Sequence, residues 1–154
     1  MTHFRRIAKI TRALGVTFRS RLECKVACVF EALEIQWRYE CRLFKVSKKT
    51  HYLPDFFCIY RGDRFWLEVK AKRPKKSEVA KAHGVVRQSP YPILLSTNDP
   101  FFDPIFECNA YWSDNGHKVF SDQGRFIDYL GMRYSEFNIA VANARMLYHS
   151  LDLP

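Results

Sequence analysis

Apolar residues recur along the first third of the chain with the period of a helix. Leu22, Val26, Val29, Phe30 and Leu33 form one stripe, and Ser20-x-x-Glu23 ahead of them is a capping-box pattern, which predicts a helix over residues 20–34. The period then changes to two: Trp37, Tyr39 and Cys41 alternate with Gln36, Arg38 and Glu40, the pattern of a half-exposed strand running to about residue 46. Ser47-Lys48-Lys49-Thr50 turns the chain into a denser apolar stretch, 51–72, that reads as a β-hairpin turning at Gly62-Asp63. A helix is predicted over 77–88 and a short strand over 92–96, broken by Asn98-Asp99-Pro100. A weaker hairpin runs through Tyr111-Trp112, turns at Asn115-Gly116 and returns through Val119-Phe120. A last helix over 135–151 carries Phe137, Val141, Ala144, Tyr148 and Leu151 on one stripe, which reads as core packing. The order helix, strand, strand, strand, helix, strand predicts a small α/β domain with a mixed sheet, part meander and part crossover.

The hairpin carries the chemistry. With the turn at Gly62-Asp63, Asp55 faces Lys70 and Phe57 faces Glu68, so Asp55, Glu68 and Lys70 project from the same face of two adjacent strands. Outward charges on strands are common, and a cross-strand ion pair contributes only a few tenths of a kcal/mol. Here, however, the flanking Leu53, Phe56, Phe57, Ile59, Phe65, Trp66, Leu67 and Val69 describe strands covered on both sides. Two carboxylates and an amine held together in such surroundings are costly without a ligand, and a divalent metal would relieve that cost. Glu23 has two readings of equal weight: it closes the capping box, or it reaches the carboxylate pair as a further metal ligand.

Composition and charge narrow the partner. The 154 residues are 47% hydrophobic and 16% aromatic, enough for one domain with a sizeable core. Twenty-five Lys and Arg stand against sixteen Asp and Glu, a net charge of +9, which favours a polyanion, nucleic acid before membrane. No stretch approaches the roughly 20 apolar residues that span a bilayer. Residues 1–22 hold Arg5, Arg6, Lys9, Arg12, Arg19 and Arg21 ahead of the first acid; this suits a basic arm over 1–17 better than a transit peptide, because a structured element starts almost at once. A second basic run, Lys72, Arg73, Lys75 and Lys76, follows Lys70 directly. The five cysteines lack the spacing of a zinc site and are expected as reduced thiols of a cytoplasmic protein.

Together these residues resemble the PD-(D/E)XK nuclease superfamily. The closer similarity is to small phage- and prophage-type endonucleases, with a helix opening Phe18-Arg19-Ser20-Arg21-Leu22-Glu23, a strand Tyr52-Leu53-Pro54-Asp55-Phe56 and then Trp66-Leu67-Glu68-Val69-Lys70. Transposon-encoded end-cutting endonuclease subunits show a similar series. The resemblance spans about residues 18–96. It implies a restriction-endonuclease-like α-β-β-β-α-β core there; residues 97–154, on which it says little, are expected as a C-terminal helical extension packed on that core. It also implies that Asp55, Glu68 and the Val69 carbonyl bind Mg²⁺ or Mn²⁺, that Glu23 is the helix acid of the site, and that Lys70 is catalytic. Gln88 or Lys81 on the following helix would assist. The expected activity is largely sequence-independent DNA hydrolysis in a bacterial or phage-infected cell, by a homodimer or within a recombination or replication complex. A non-catalytic DNA-binding protein, or an accessory subunit of a recombination or transposition complex, is the alternative on the same fold.

Overall fold

The computed structural model describes residues 11–114 and 117–151. The chain opens with β1 (Thr11–Ala13) and β2 (Val16–Phe18), an antiparallel hairpin. Its loop, Leu14-Gly15, has both residues at positive φ (53° and 78°), the geometry whose twist matches paired strands. Residues 11–17 of the expected basic arm lie in this hairpin, which leads into Phe18, fully buried in the core.

Ser20 caps α1 (Arg21–Ala32): its hydroxyl oxygen accepts the Glu23 N–H at 3.2 Å. The helix stops two residues short of the predicted end. Glu34 takes φ 57°, its N–H donates to the Glu31 carbonyl, and the Ile35 N–H reaches back to the Phe30 carbonyl at 2.9 Å, a Schellman closure with both Ile35 and Phe30 buried.

Next, β3 (Gln36–Tyr39) ends earlier than its alternation predicts. Glu40 turns left-handed (φ 48°) and donates its N–H to the Asp55 carbonyl at 2.8 Å, so the chain leaves the sheet there. The remainder of the expected strand becomes β4 (Phe44–Lys45), which pairs with β5 (His51–Tyr52) as a separate two-stranded ribbon around the Ser47–Thr50 turn.

The central hairpin is β6 (Phe56–Tyr60) and β7 (Asp63–Glu68), with Phe56 opposite Leu67 and Tyr60 opposite Asp63. Its turn is Arg61-Gly62, not Gly62-Asp63. A glycine suits either the first or the second position of a two-residue loop; here Arg61 (φ 49°) and Gly62 (φ 86°) place it second, which slides the register by two residues. A slide of two preserves which face each side chain occupies, so the expected common face of Asp55 and Glu68 survives the corrected register.

After α2 (Lys76–Gln88) the chain enters β8 (Ile93–Ser96), parallel to β7. It continues through β9 (Glu107–Asp114), β10 (His117–Arg125), α3 (Phe126–Tyr129) and α4 (Tyr134–Ser150). The mixed six-stranded sheet has the order β10-β9-β8-β7-β6-β3. The stretch after residue 96, expected as a helical extension, thus supplies two strands of the same sheet as well as α4, which packs on α1. The turn expected at Asn115-Gly116 lies outside the described residues, but the flanking pairs Trp112–Val119 and Tyr111–Phe120 agree with it.

Alternation along the strands divides the core. Phe56, Leu67 and Leu94 face α1 and α4, in a cluster with Phe18, Val29, Phe30, Phe106, Phe126 and Phe137. Trp66, Ile93 and Leu95 face α2, in a second cluster with Phe44, Tyr52, Val85 and Tyr111. Among the described residues no helix is long and apolar enough to cross a membrane, and the five cysteines are free thiols, with only Cys41 exposed.

Phe56 is the aromatic centre of the larger cluster: fully buried, its ring lies 5.2–6.2 Å from those of Phe18, Phe30, Trp37 and Tyr39. Phe56→Ala is expected to cost about 3–5 kcal/mol in urea unfolding. Ile139→Ala, at a side chain 65% exposed, should cost less than about 0.5 kcal/mol. Comparable losses in the two variants would contradict this packing.

Candidate active site

Asp55 immediately precedes β6 and Glu68 ends β7, so the hairpin brings them opposite one another at the open end of a buried sheet. They are locked reciprocally. The Asp55 N–H donates to Glu68 Oε1 at 3.1 Å, and the Val69 N–H donates to Asp55 Oδ2 at 2.7 Å. The Tyr52 side chain, buried on β5, is close enough for the Glu68 carboxylate to raise its hydroxyl. Lys70 Nζ lies 3.5 Å from Glu68 Oε2 and forms a second ion pair with Glu78 at the start of α2. The main chain of Lys70 is fixed by β8: its N–H donates to Ser96 Oγ at 3.0 Å, and that hydroxyl donates to the Glu68 carbonyl at 3.4 Å.

Burial and crowding of like charges set the electrostatics. Desolvation, then the Glu68 and Glu23 carboxylates, raise the Asp55 carboxyl well above its ordinary range, although the Val69 N–H opposes this. Glu23 is also raised by burial, against hydrogen bonds from Tyr39 and Ser20. Burial followed by adjacent carboxylates pushes the Tyr39 and Tyr52 hydroxyls upward, so both remain protonated donors. Burial disfavours the Lys70 ammonium, but Glu78, Glu68 and Asp55 outweigh it and the pKa rises. Glu78 shifts the other way: despite burial, Lys70 and the Lys75 N–H bring it down.

The donor set suits a hard cation. Among the described residues no three His, Cys, Asp or Glu side chains are grouped to hold one metal ion. Two carboxylates with a neighbouring main-chain carbonyl nevertheless match Mg²⁺ or Mn²⁺, which keep several of their own waters. The partly buried, mutually repelling Asp55–Glu68 pair fits such a charge. Glu23 stands apart from this pair, near enough to raise Asp55, with its carboxylate held by the Tyr39 and Ser20 hydroxyls.

The other expected site residues are distributed around this centre. Lys72, Arg73, Lys75 and Lys76 are exposed on the stretch leading from Lys70 into α2, and Arg19 and Arg21 are exposed at the start of α1. Arg19 is paired with Glu40 at 2.8 Å. Arg12 lies on β1, and Arg5 and Arg6 fall outside the described residues. Gln88 is not directed at the carboxylates; its amide donates to the carbonyls of Lys45 (2.7 Å) and Gly84 (3.0 Å). Lys81 lines a groove with Val46, Ser47, Thr50 and Arg87. Four residues with no site role expected from the sequence lie around it: Tyr39, Tyr52, Glu78 and Ser96. Only Tyr52, three residues before Asp55 in the same segment, carried a signal in its position. No protein-family model, curated protein or solved structure matches the chain.

The raised Asp55 predicts a pH dependence with a definite sign. The folded state holds the Asp55 proton more tightly than the unfolded chain, so ionisation destabilises the fold as pH rises above the ordinary carboxylate range near about pH 4. In EDTA, Asp55→Asn should therefore melt above the wild type at pH 8, by about 2–4 °C per kcal/mol relieved. The difference should shrink on acidification toward about pH 4. A constant difference, or one of opposite slope, would show that the carboxyl is not held in a raised state.

Proposed function

We propose that this protein is a Mg²⁺- or Mn²⁺-dependent nuclease that hydrolyses phosphodiester bonds of DNA on a restriction-endonuclease-like core. What carries the reading is the reciprocal Asp55–Glu68 lock with Lys70 beside it, all at the end of adjacent strands. The helix–hairpin–helix–strand order from α1 to β8 supports it, as does the net charge of +9.

Asp55, Glu68 and the Val69 carbonyl would hold the ion. When bound, the ion lowers the pKa of a coordinated water and neutralises charge that develops on the scissile phosphate. Lys70, kept protonated by its acidic neighbours, acts as a charge: it orients the water and stabilises the phosphoryl oxygens in the transition state. Glu78 and Ser96 position Lys70 from its side chain and main chain respectively. Tyr39 and Ser20 hold Glu23, which adds to the negative field that attracts the cation. The cations at 72–76, with Arg19 and Arg21, neutralise backbone phosphates and make binding salt-sensitive and largely sequence-independent.

The Lys70–Glu78 ion pair favours a second reading, a DNA-binding protein in which the lysine is structural. Cleavage of plasmid and branched DNA, followed with Mg²⁺, Mn²⁺ or EDTA, separates the two. Asp55→Asn, Glu68→Gln and Lys70→Met should each reduce cleavage by roughly two to three orders of magnitude while DNA affinity stays within about threefold. Unchanged cleavage in any one variant removes that residue from the chemistry. Tight binding without cleavage by the wild type under every metal condition supports the second reading.

Glu23 is tested separately. Glu23→Gln keeps an acceptor for the Ser20 and Tyr39 hydroxyls, so stability should hold within about 0.5 kcal/mol while more Mn²⁺ is required for half-maximal cleavage. An unaltered metal requirement would leave Glu23 with its capping role alone.

A further inference from the structure

Phe102 is 79% exposed, whereas every other described phenylalanine side chain is buried or half-buried. Single exposed apolar residues are ordinary. This one differs in how it is held and in what surrounds it. Its turn leaves β8 just after Ser96, the residue that anchors Lys70. The Asp99 carboxylate accepts the Phe101 N–H at 2.8 Å, and the Asp99 carbonyl accepts the Phe102 N–H at 3.1 Å. Phe101 is buried and packs edge-on against Tyr148 of α4, at 5.6 Å. Phe102 is thus presented to solvent from an anchored turn. Two cations from different helices lie over its ring: Lys25 of α1 at 5.5 Å, itself ion-paired with the Asp99 carboxylate at 2.8 Å, and Arg145 of α4 at 5.7 Å from the centroid.

We infer that Phe102 is a stacking platform for an unpaired nucleobase, with Arg145 neutralising the adjoining phosphate, so that the favoured DNA has a single-stranded or frayed segment. An aromatic ring in water gains most by covering its face with another flat π-system, and every base offers one without regard to sequence. Bases inside a duplex are already stacked and cannot use the platform without being pulled out. The Arg145 guanidinium at the ring suits the phosphate that a stacked base brings with it. A protein partner would also value an exposed phenylalanine, but the Arg145 guanidinium at the ring and the net charge of +9 favour a nucleic acid strand. The inference deepens the nuclease reading and rests on DNA being its substrate.

The test compares a fluorescent oligothymidine with a blunt duplex by anisotropy in EDTA, using the full-length protein across a salt series. Phe102→Ala and Phe102→Leu should weaken single-strand binding about tenfold and change duplex binding less than about twofold, whereas Phe102→Trp should bind like the wild type. Arg145→Gln should weaken both and reduce the salt slope by about one. Equal losses on the two DNAs, no loss on either, or full binding by Phe102→Leu would overturn the proposal. So would a Phe102→Ala protein that loses self-association in sedimentation while its DNA binding is unchanged, since the ring would then be a protein contact. Phe102-dependent single-strand preference without cleavage under any metal condition would sink the nuclease reading and leave the platform standing. Cleavage with no Phe102 effect would do the reverse.

Discussion

The arrangement of this protein turns on a conflict between like charges at the end of a buried sheet. Asp55 and Glu68 face one another across the β6–β7 hairpin, and each accepts a main-chain N–H from the other's strand. Hydrogen bonds to charged acceptors contribute about 1.5–3 kcal/mol each, enough to hold the geometry but not to remove the repulsion. The Asp55 carboxyl remains raised although it has a good donor. The apo fold therefore sacrifices stability to keep the two carboxylates together, a conflict characteristic of sites shaped for a ligand. Around them, the Glu40 N–H just after β3 fixes the Asp55 carbonyl and Ser96 of β8 fixes the chain on either side of Val69, so the pair is braced from both neighbours of its hairpin.

That pair was legible in the sequence because facing depends on parity. Placing the turn at Gly62-Asp63 misjudges the partners, since Asp55 stands opposite Glu68 rather than Lys70. The error is an even number of residues, and the side-chain period of a strand is two, so the common face of the acids is unaffected. The helices were legible for a related reason: α1 and α4 carry an apolar stripe at helical spacing, and α1, α2 and α4 all fall within two residues of their predicted limits.

What the sequence hid were features decided by long-range partners. Nothing in the alternation around Trp37 and Tyr39 announces that Glu40 will turn left-handed; its N–H is drawn to the Asp55 carbonyl, fifteen positions away. Ser96 and Glu78 look like an ordinary strand end and an ordinary first helical turn until the parallel pairing of β7 with β8 brings them to Lys70. The placement of β9 and β10 in the main sheet, rather than in an appendage, depends on β8 having a free edge. No local pattern encodes that edge. Gln88 illustrates the converse, since a residue type suited to a site is used to tie α2 to the chain at Lys45.

The contrast between site and surface has a consequence under the nuclease reading. The molecule as a whole is cationic, yet Asp55, Glu68 and Glu23 give the site an excess of acid that Lys70, shared with Glu78, offsets only in part. The outer cations at 72–76 attract a phosphate chain over distances comparable with the Debye length, about 8 Å at physiological salt. Close to the carboxylates the sign reverses, and a bare phosphate is repelled. Binding and productive placement are therefore separable steps with opposite electrostatics. The first needs the basic surface alone, while the second needs the acids neutralised. On this account the carboxylates do more than furnish ligands: without a cation, they keep bound DNA away from Lys70. Protection of bound DNA and its cleavage would then be two states of one surface, selected by the charge at Asp55 and Glu68.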